Sequence, residues 1–191
     1  MVAPTRRGAF PGSFNPLTVG HLAVAEAGRD QCRLDVVDLI LSRVALAKED
    51  VERPRLEDRV AVLHAAAAHR PWLGVVVTDQ QLIADLAAGY DVVVMGADKW
   101  AQVDDPAFYG GSVDARDAAI ARLPTVVIAP RPPFPVPDGL TLLDVSHDAS
   151  STAVREGRTE WMAPEAAEFD RVSGAWSDPQ RYEAWVKEGL T

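Results

Sequence analysis

The run Gly12-Ser13-Phe14-Asn15-Pro16-Leu17-Thr18-Val19-Gly20-His21 holds residue types that phosphate chemistry uses, in an order that a strand, a tight turn and a helix start can present together. Gly12 lets a large anion approach the backbone, and the open amides and dipole of a helix start favour negative charge there. Thr18 suits the N-cap, its side-chain oxygen accepting from an amide near His21. One turn into the helix, His21 can aim its imidazole back toward whatever those amides hold, with Asn15 and Thr18 beside it. The same types also fit an ordinary strand-turn-helix corner in which the histidine merely packs. A second constellation, Ser150-Ser151-Thr152-Ala153-Val154-Arg155, reads as another helix start, with hydroxyls at the cap and an arginine within the first turns. Its plain alternative is a routine cap beside a solvated arginine.

The elements that must position these corners alternate along the chain. Arg7–Phe10 reads as a short strand ended by Pro11-Gly12, and Pro16 suits the start of a helix that runs to about Arg29. Asp35–Leu41 is a second strand rich in β-branched residues, and Ser42–Pro54 a polar loop. A helix from about Arg55 to His69 carries Leu56, Val60 and Leu63 on one face. Trp72–Val77 is a third strand. Thr78 or Asp79 then caps a helix reaching Ala88, which Gly89 stops. Tyr90–Met95 and Thr125–Ala129 are further strands, with helical segments after Gly96 and over about Val113–Leu123, and Leu140–Val145 suggests one more strand. Apolar strands alternating with helices predict an α/β, Rossmann-like, doubly wound and mostly parallel sheet of about five strands, with helices on both faces. Ligands of such sheets sit beyond the carboxyl ends of the strands, near the switch in strand order, where the Gly12–His21 corner would lie.

Composition sets bounds. A chain of 191 residues suits one domain with a real core. Its formal net charge of -9 argues against a nucleic-acid or anionic-membrane surface, because those partners demand clustered positive charge, whereas a small phosphorylated ligand needs only a local basic pocket. Cys32 stands alone, so no intramolecular disulfide can form. Apolar runs are short and the N-terminal stretch lacks the core of a signal peptide, so a soluble, cytoplasmic protein is expected. Arg131–Pro137 reads as a stiff polyproline-like connector. Residues 1–164 are expected to form the main domain. Residues 165–191 are expected to be a helical tail whose aromatics Trp176, Tyr182 and Trp185 dock on it, or which lends itself to a homo-oligomer contact.

The two corners together resemble the signatures of the nucleotidyltransferase superfamily, in which a Gly-x-Phe-Asp-Pro turn precedes a His-x-Gly-His or Thr-x-Gly-His element and a Ser-Ser-Thr-x-x-Arg element follows. Two positions depart from the commonest pattern. Asn15 stands for the usual aspartate and loses a charge, and Thr18 stands for the first histidine, as in the pantetheine-phosphate branch. The segment Val94-Met95-Gly96-Ala97-Asp98-Lys99-Trp100 looks like the Gly-x-Asp element of nicotinate- and nicotinamide-mononucleotide adenylyltransferases, and Arg131 and Gly157–Pro164 also fit that branch. Its usual Pro-x-x-Lys loop is missing after the second strand, where Ser42–Lys48 stands instead. The likeness covers roughly Ala9 to Ala166.

The resemblance implies transfer of AMP from ATP, with Mg²⁺ bound through phosphates and water rather than through protein ligands, to the phosphate of a small acceptor. His21 and Thr18 would be the catalytic pair, donating to the α-phosphate oxygens. Gly12, Ser13, Phe14, Asn15, Gly20, Gly96, Asp98, Ser150, Ser151, Thr152 and Arg155 would line the ATP site, with Asp98 on ribose hydroxyls and Ser151, Thr152 and Arg155 on the β- and γ-phosphates. Lys48, Arg59 and Trp100 would meet the acceptor, the tryptophan by stacking on a flat ring. Nicotinate or nicotinamide mononucleotide is the acceptor this implies. A pantetheine-phosphate adenylyltransferase, a cytidylyltransferase and an inactive nucleotide-binding sensor are the competing readings.

Overall fold

The computed structural model describes residues 5–44, 53–145 and 147–189. Six parallel strands form one sheet: β1 (Arg7–Pro11), β2 (Val36–Ser42), β3 (Leu73–Thr78), β4 (Val92–Gly96), β5 (Thr125–Ala129) and β6 (Thr141–Leu142), in the spatial order β3-β2-β1-β4-β5-β6. The expected doubly wound sheet is present with six strands rather than about five, because the edge strand β6 adds two residues beside Val127 and Ile128. Strand order reverses between β1 and β4, which pair through Gly8 with Val92 and Ala9 with Val93. That reversal opens a crevice at the carboxyl end of β1.

Apart from Asp38, which pairs with Arg7, the central strands bury apolar residues on both faces, and alternate residues feed two cores. Phe10, Val37, Leu39, Leu41, Val92, Val94 and Val127 pack on one side, under α1 (Val19–Cys32), α2 (Leu56–Ala68), α7 (Pro164–Ser173) and α8 (Pro179–Glu188). Ala9, Ile40, Val93, Met95 and Ile128 pack on the other, against α3 (Ile83–Leu86) and α4 (Ala97–Asp104). Beyond α4 come a single 3-10 turn, Pro106–Tyr109, and then α5 (Val113–Ile120). Among the described residues no helix is long and apolar enough to cross a membrane.

Two local expectations change. The helix expected from Thr78 to Ala88 shrinks to the single turn of α3. Thr78 Oγ1 accepts the Gln80 amide instead, closing a tight turn that holds the following residues out of a helix. Pro16 does not begin a helix either. It follows a cis Asn15-Pro16 peptide, and α1 starts only at Val19, after the cap at Thr18.

The C-terminal helices are fastened to the body by buried polar contacts. Tyr182, 2% exposed, donates its hydroxyl to Asp58 near the start of α2 and accepts the Arg55 amide at 2.8 Å. Arg55 Nε reaches the same carboxylate at 3.0 Å. Trp176 and Ala175 add to the same core, and Arg70 near the end of α2 pairs with Glu165 at 2.9 Å. Removing the phenol hydroxyl leaves the part-buried Arg55 amide without its acceptor and takes from Asp58 Oδ2 one of its two donors, the other being Arg55 Nε. Tyr182→Phe should therefore cost about 1–3 kcal/mol in urea unfolding; a shift below 0.3 kcal/mol would show that the hydroxyl holds nothing.

Candidate active site

Three stretches of chain meet at the carboxyl edge of the sheet around a cavity of about 760 Å³. The first is the turn after β1. Gly12 N–H donates to Ile40 O at 3.1 Å, and the Phe14 ring lies against Gly12, where an added Cβ would sit 2.9 Å from the ring. Phe14 itself takes a left-handed φ of 45°, which a bulky side chain adopts only when burial holds it there. Its ring is 1% exposed and packs edge-on to Phe10 and to His21.

Thr18 organises the start of α1. Its Oγ1 accepts the His21 amide at 3.2 Å while its own amide donates to His21 Nδ1 at 3.0 Å, a reciprocal cap. Thr18 Oγ1 also lies 2.8 Å from the same ring nitrogen. A nitrogen that accepts an N–H cannot carry a proton, so the imidazole is the tautomer with hydrogen on Nε2. Burial, and next the positive charge of Arg131, push the His21 pKa down to about 4. At neutral pH the cavity therefore holds an uncharged imidazole that can donate one hydrogen bond.

The second stretch is α6 (Ser151–Arg155) with its cap. Ser150 Oγ accepts the Ala153 amide at 3.0 Å. Ser151 Oγ donates to Pro16 O at 2.8 Å, and Arg155 donates to Asn15 O, so this corner is bolted to the first one 135 and 140 residues away. Gly20 lets them close: a Cβ there would stand 2.9 Å from Ala149 O. The third stretch comes from β4 and β5. Gly96 ends one strand, with Asp98 and Lys99 just beyond it, and Arg131 follows the other. The Asp98 carboxylate folds over Gly96, where a Cβ would stand 2.3 Å from its oxygen.

Gly12, Ser13, Asn15, Gly20, His21, Gly96, Asp98, Ser150, Ser151, Thr152 and Arg155 all line this one cavity. Thr18 lies beneath it, fully buried. Other expectations need correcting. Phe14 does not line the cavity, since its ring is spent on supporting Gly12 and His21. Trp100 is 9% exposed and belongs to the core behind β4, too deep to stack on a ligand. Arg59 is 8% exposed and donates to Ser13 O at 2.9 Å, so it props the first turn from below rather than facing an acceptor. The Ser151 hydroxyl proton is committed to Pro16 O, which makes that side chain a strut between corners. Lys48 lies outside the described residues.

The cavity also holds Arg53, Lys99, Gln102, Arg131 and His147, none of them among the expected site residues. Arg131 and Lys99 stand at the carboxyl ends of β5 and β4, the positions from which parallel sheets present ligand contacts, so that rule would have nominated both. His147 accepts the Ala149 amide on Nδ1 at 2.9 Å, which leaves its proton on Nε2, as in His21. Arg53 pairs with Glu183 on α8, a contact across the fold that no local pattern announces. Four cations and one carboxylate thus surround the space, in a chain that is acidic as a whole.

The sequence model of a family described as cytidylyltransferase-like matches residues 9–157. A probable nicotinate-nucleotide adenylyltransferase of Syntrophotalea carbinolica is 32% identical over 148 residues, covering 72% of this chain and 66% of that relative. A protein of the same description from Gloeobacter violaceus is 38% identical over 63 residues, covering 33% of this chain and 31% of its own length. The match thus spans just under two thirds of the first relative and under a third of the second.

Two measurements test this geometry. In the nucleotide-free protein, NMR titration should place His21 near 4, with ¹⁵N shifts of the Nε2–H tautomer. Arg131→Gln should raise the value only in part, because burial is the larger cause. The unfolded imidazole protonates near 6.5, so this group costs stability as pH falls from about 6.5 to about 4 and is silent above that range. A midpoint near 6.5 in the folded protein would contradict the site as described. Gly20→Ala, which drives a Cβ into the Ala149 carbonyl, should cost about 1–3 kcal/mol in denaturant unfolding.

Proposed function

The chain belongs to the cytidylyltransferase-like family, and from that premise we propose that it transfers AMP from ATP to the phosphate of nicotinate mononucleotide, releasing pyrophosphate. The observation that carries this reading is the convergence of His21 with Thr152 and Arg155 on one cavity at the switch in strand order. The names of both relatives favour the nicotinate acceptor. So does the cavity's charge, since Lys99, Arg131 and Arg53 suit an acceptor bearing both a carboxylate and a phosphate.

No side-chain nucleophile is needed. An acceptor phosphate oxygen attacks the α-phosphorus in line, its new P–O bond forming as the bond to the β-phosphate oxygen breaks, and pyrophosphate leaves with that electron pair. The protein's part is to position the reactants and stabilise charge. His21, neutral and fixed by Thr18, donates from Nε2–H to an α-phosphate oxygen as charge gathers there. Thr152 and Arg155 hold the β- and γ-phosphates, and Asp98 takes ribose hydroxyls. Lys48 remains a candidate for the acceptor phosphate. Mg²⁺ fits as an ion carried by the phosphates and water, where it offsets their charge; among the described residues no group of three or more His, Cys, Asp or Glu side chains could hold a metal ion. In this reading residues 1–164 form the transferase domain, residues 165–191 its docked tail, and the setting is cytoplasmic.

The family's description makes CTP the first competitor as donor. The test measures pyrophosphate released with ATP or CTP, Mg²⁺, and each of nicotinate mononucleotide, nicotinamide mononucleotide and phosphopantetheine. ATP with nicotinate mononucleotide should give the fastest turnover. His21→Ala should lower kcat on the order of 10²-fold or more, the usual loss of an oxyanion donor. Turnover unchanged in His21→Ala would overturn the mechanism. Tight ATP binding without turnover on any acceptor would leave a nucleotide-binding module instead.

A further inference from the structure

Asn15 stands where the resemblance would put an aspartate, and its side chain meets an unexpected partner. Trp176 Nε1 donates to Asn15 Oδ1 at 2.7 Å, in a contact buried from solvent. An indole N–H only donates, and of the two ends of a carboxamide only the oxygen accepts. The contact therefore fixes which way the Asn15 amide faces. Its carbonyl oxygen turns to Trp176, which leaves the NH₂ on the opposite side of the amide, in a residue that lines the cavity. Among the described residues that NH₂ has no hydrogen-bond partner, and it is not sealed from solvent.

Trp176 is itself held in place. α7 ends in a left-handed Gly174, and Asp170 Oδ1 accepts both the Trp176 amide at 2.7 Å and the Ser177 amide at 3.0 Å. Phe169 packs across the indole at 6.0 Å, and the side chain is 8% exposed. Two buried segments, far apart in sequence, thus spend their contacts on orienting one amide. Trp176 also lies beyond the matched residues 9–157, so the family match assigns it nothing.

We infer that Trp176 is a positioning residue: through its indole N–H it turns the Asn15 NH₂ toward the cavity, where that group donates to a phosphate oxygen of the bound nucleotide. An aspartate at position 15 could take the same indole bond but would present a second acceptor oxygen, and negative charge, to the same phosphate. Asparagine with tryptophan makes the position a donor. The inference rests on the proposed nucleotide site, and its test separates the two.

Dissociation constants for ATP with Mg²⁺ would be measured by calorimetry for the wild type, Trp176→Phe, Asn15→Ala and the double variant, with thermal midpoints alongside. Phenylalanine keeps the aromatic wedge and removes only the donor. Trp176→Phe should weaken ATP binding about tenfold, the scale of one directed hydrogen bond. In the Asn15→Ala background the same change should have less than a twofold effect, because a residue acting through Asn15 has nothing left to act on. Asn15→Asp keeps the indole's partner and should weaken ATP binding at least tenfold. Equal losses from Trp176→Phe in both backgrounds, no loss at all, or undiminished binding by Asn15→Asp would each overturn the inference.

Should the wild type bind neither ATP nor CTP, the proposed function fails, and NMR of the free protein decides the orientation. A Trp176 indole proton protected from exchange, beside Asn15 amide protons that exchange with water, supports it. Protected Asn15 protons overturn it.

Discussion

The site depends on what Thr18 does at the start of α1. One side chain and one amide cap the helix, fix the tautomer of His21 and leave a single N–H directed at the cavity. Thr18 also pairs with Met162 in an isolated antiparallel bridge, and Ala163 N–H donates to Leu17 O at 3.0 Å, so the chain that follows the second corner lies against the residues that begin the first. Full burial of Thr18 keeps water from competing for these bonds. A histidine there could not supply the same compact reciprocal cap, which accounts physically for a threonine at a position where the resemblance offers either residue.

Electrostatics divides the molecule into an acidic body and a basic pocket. A net charge of -9 repels nucleotides at long range, while Arg53, Lys99, Arg131 and Arg155 attract them at short range. Salt screens the first effect over about 10 Å but reaches poorly into a recessed site. Capture of a polyanion is then governed by the local field, and general anion binding over the outer surface is suppressed. Burial, and after it the charge of Arg131 among these cations, depresses the basicity of His21 and keeps its imidazole neutral. Basic residues for binding and a neutral imidazole for donation are thus consequences of a single arrangement.

Much of the fold was legible in order along the chain. Unbroken apolar strands such as Val92–Gly96 and Thr125–Ala129 have to be covered on both faces, and that alone dictates a parallel sheet with helices on either side. The two corners were legible because cap, glycine and chemistry fall within a few residues of one another. What escaped was decided by distance in space. Trp100 and Asp98 are two residues apart on one helix, yet one faces the core and the other the cavity, and only the packing of α4 on β4 decides which. Arg59 was expected to meet the acceptor; it is buried instead, and donates to the turn carrying Ser13. The Ser151 hydroxyl was expected on phosphate and is instead a tie to Pro16, a partner 135 residues away that no window of sequence contains.

The bond between Asn15 and Trp176 spans 161 residues, which sets an order of events during synthesis. The turn leaves the ribosome 161 residues ahead of the segment that bonds to it. A nascent chain can lay down β1, α1 and β2 as they appear, yet its Asn15 amide stays without the indole until Trp176 has been added. Polypeptides that have not yet reached Trp176 therefore carry the first corner with its Asn15 amide unoriented, and that corner takes its final form only after the distant segment has folded against it.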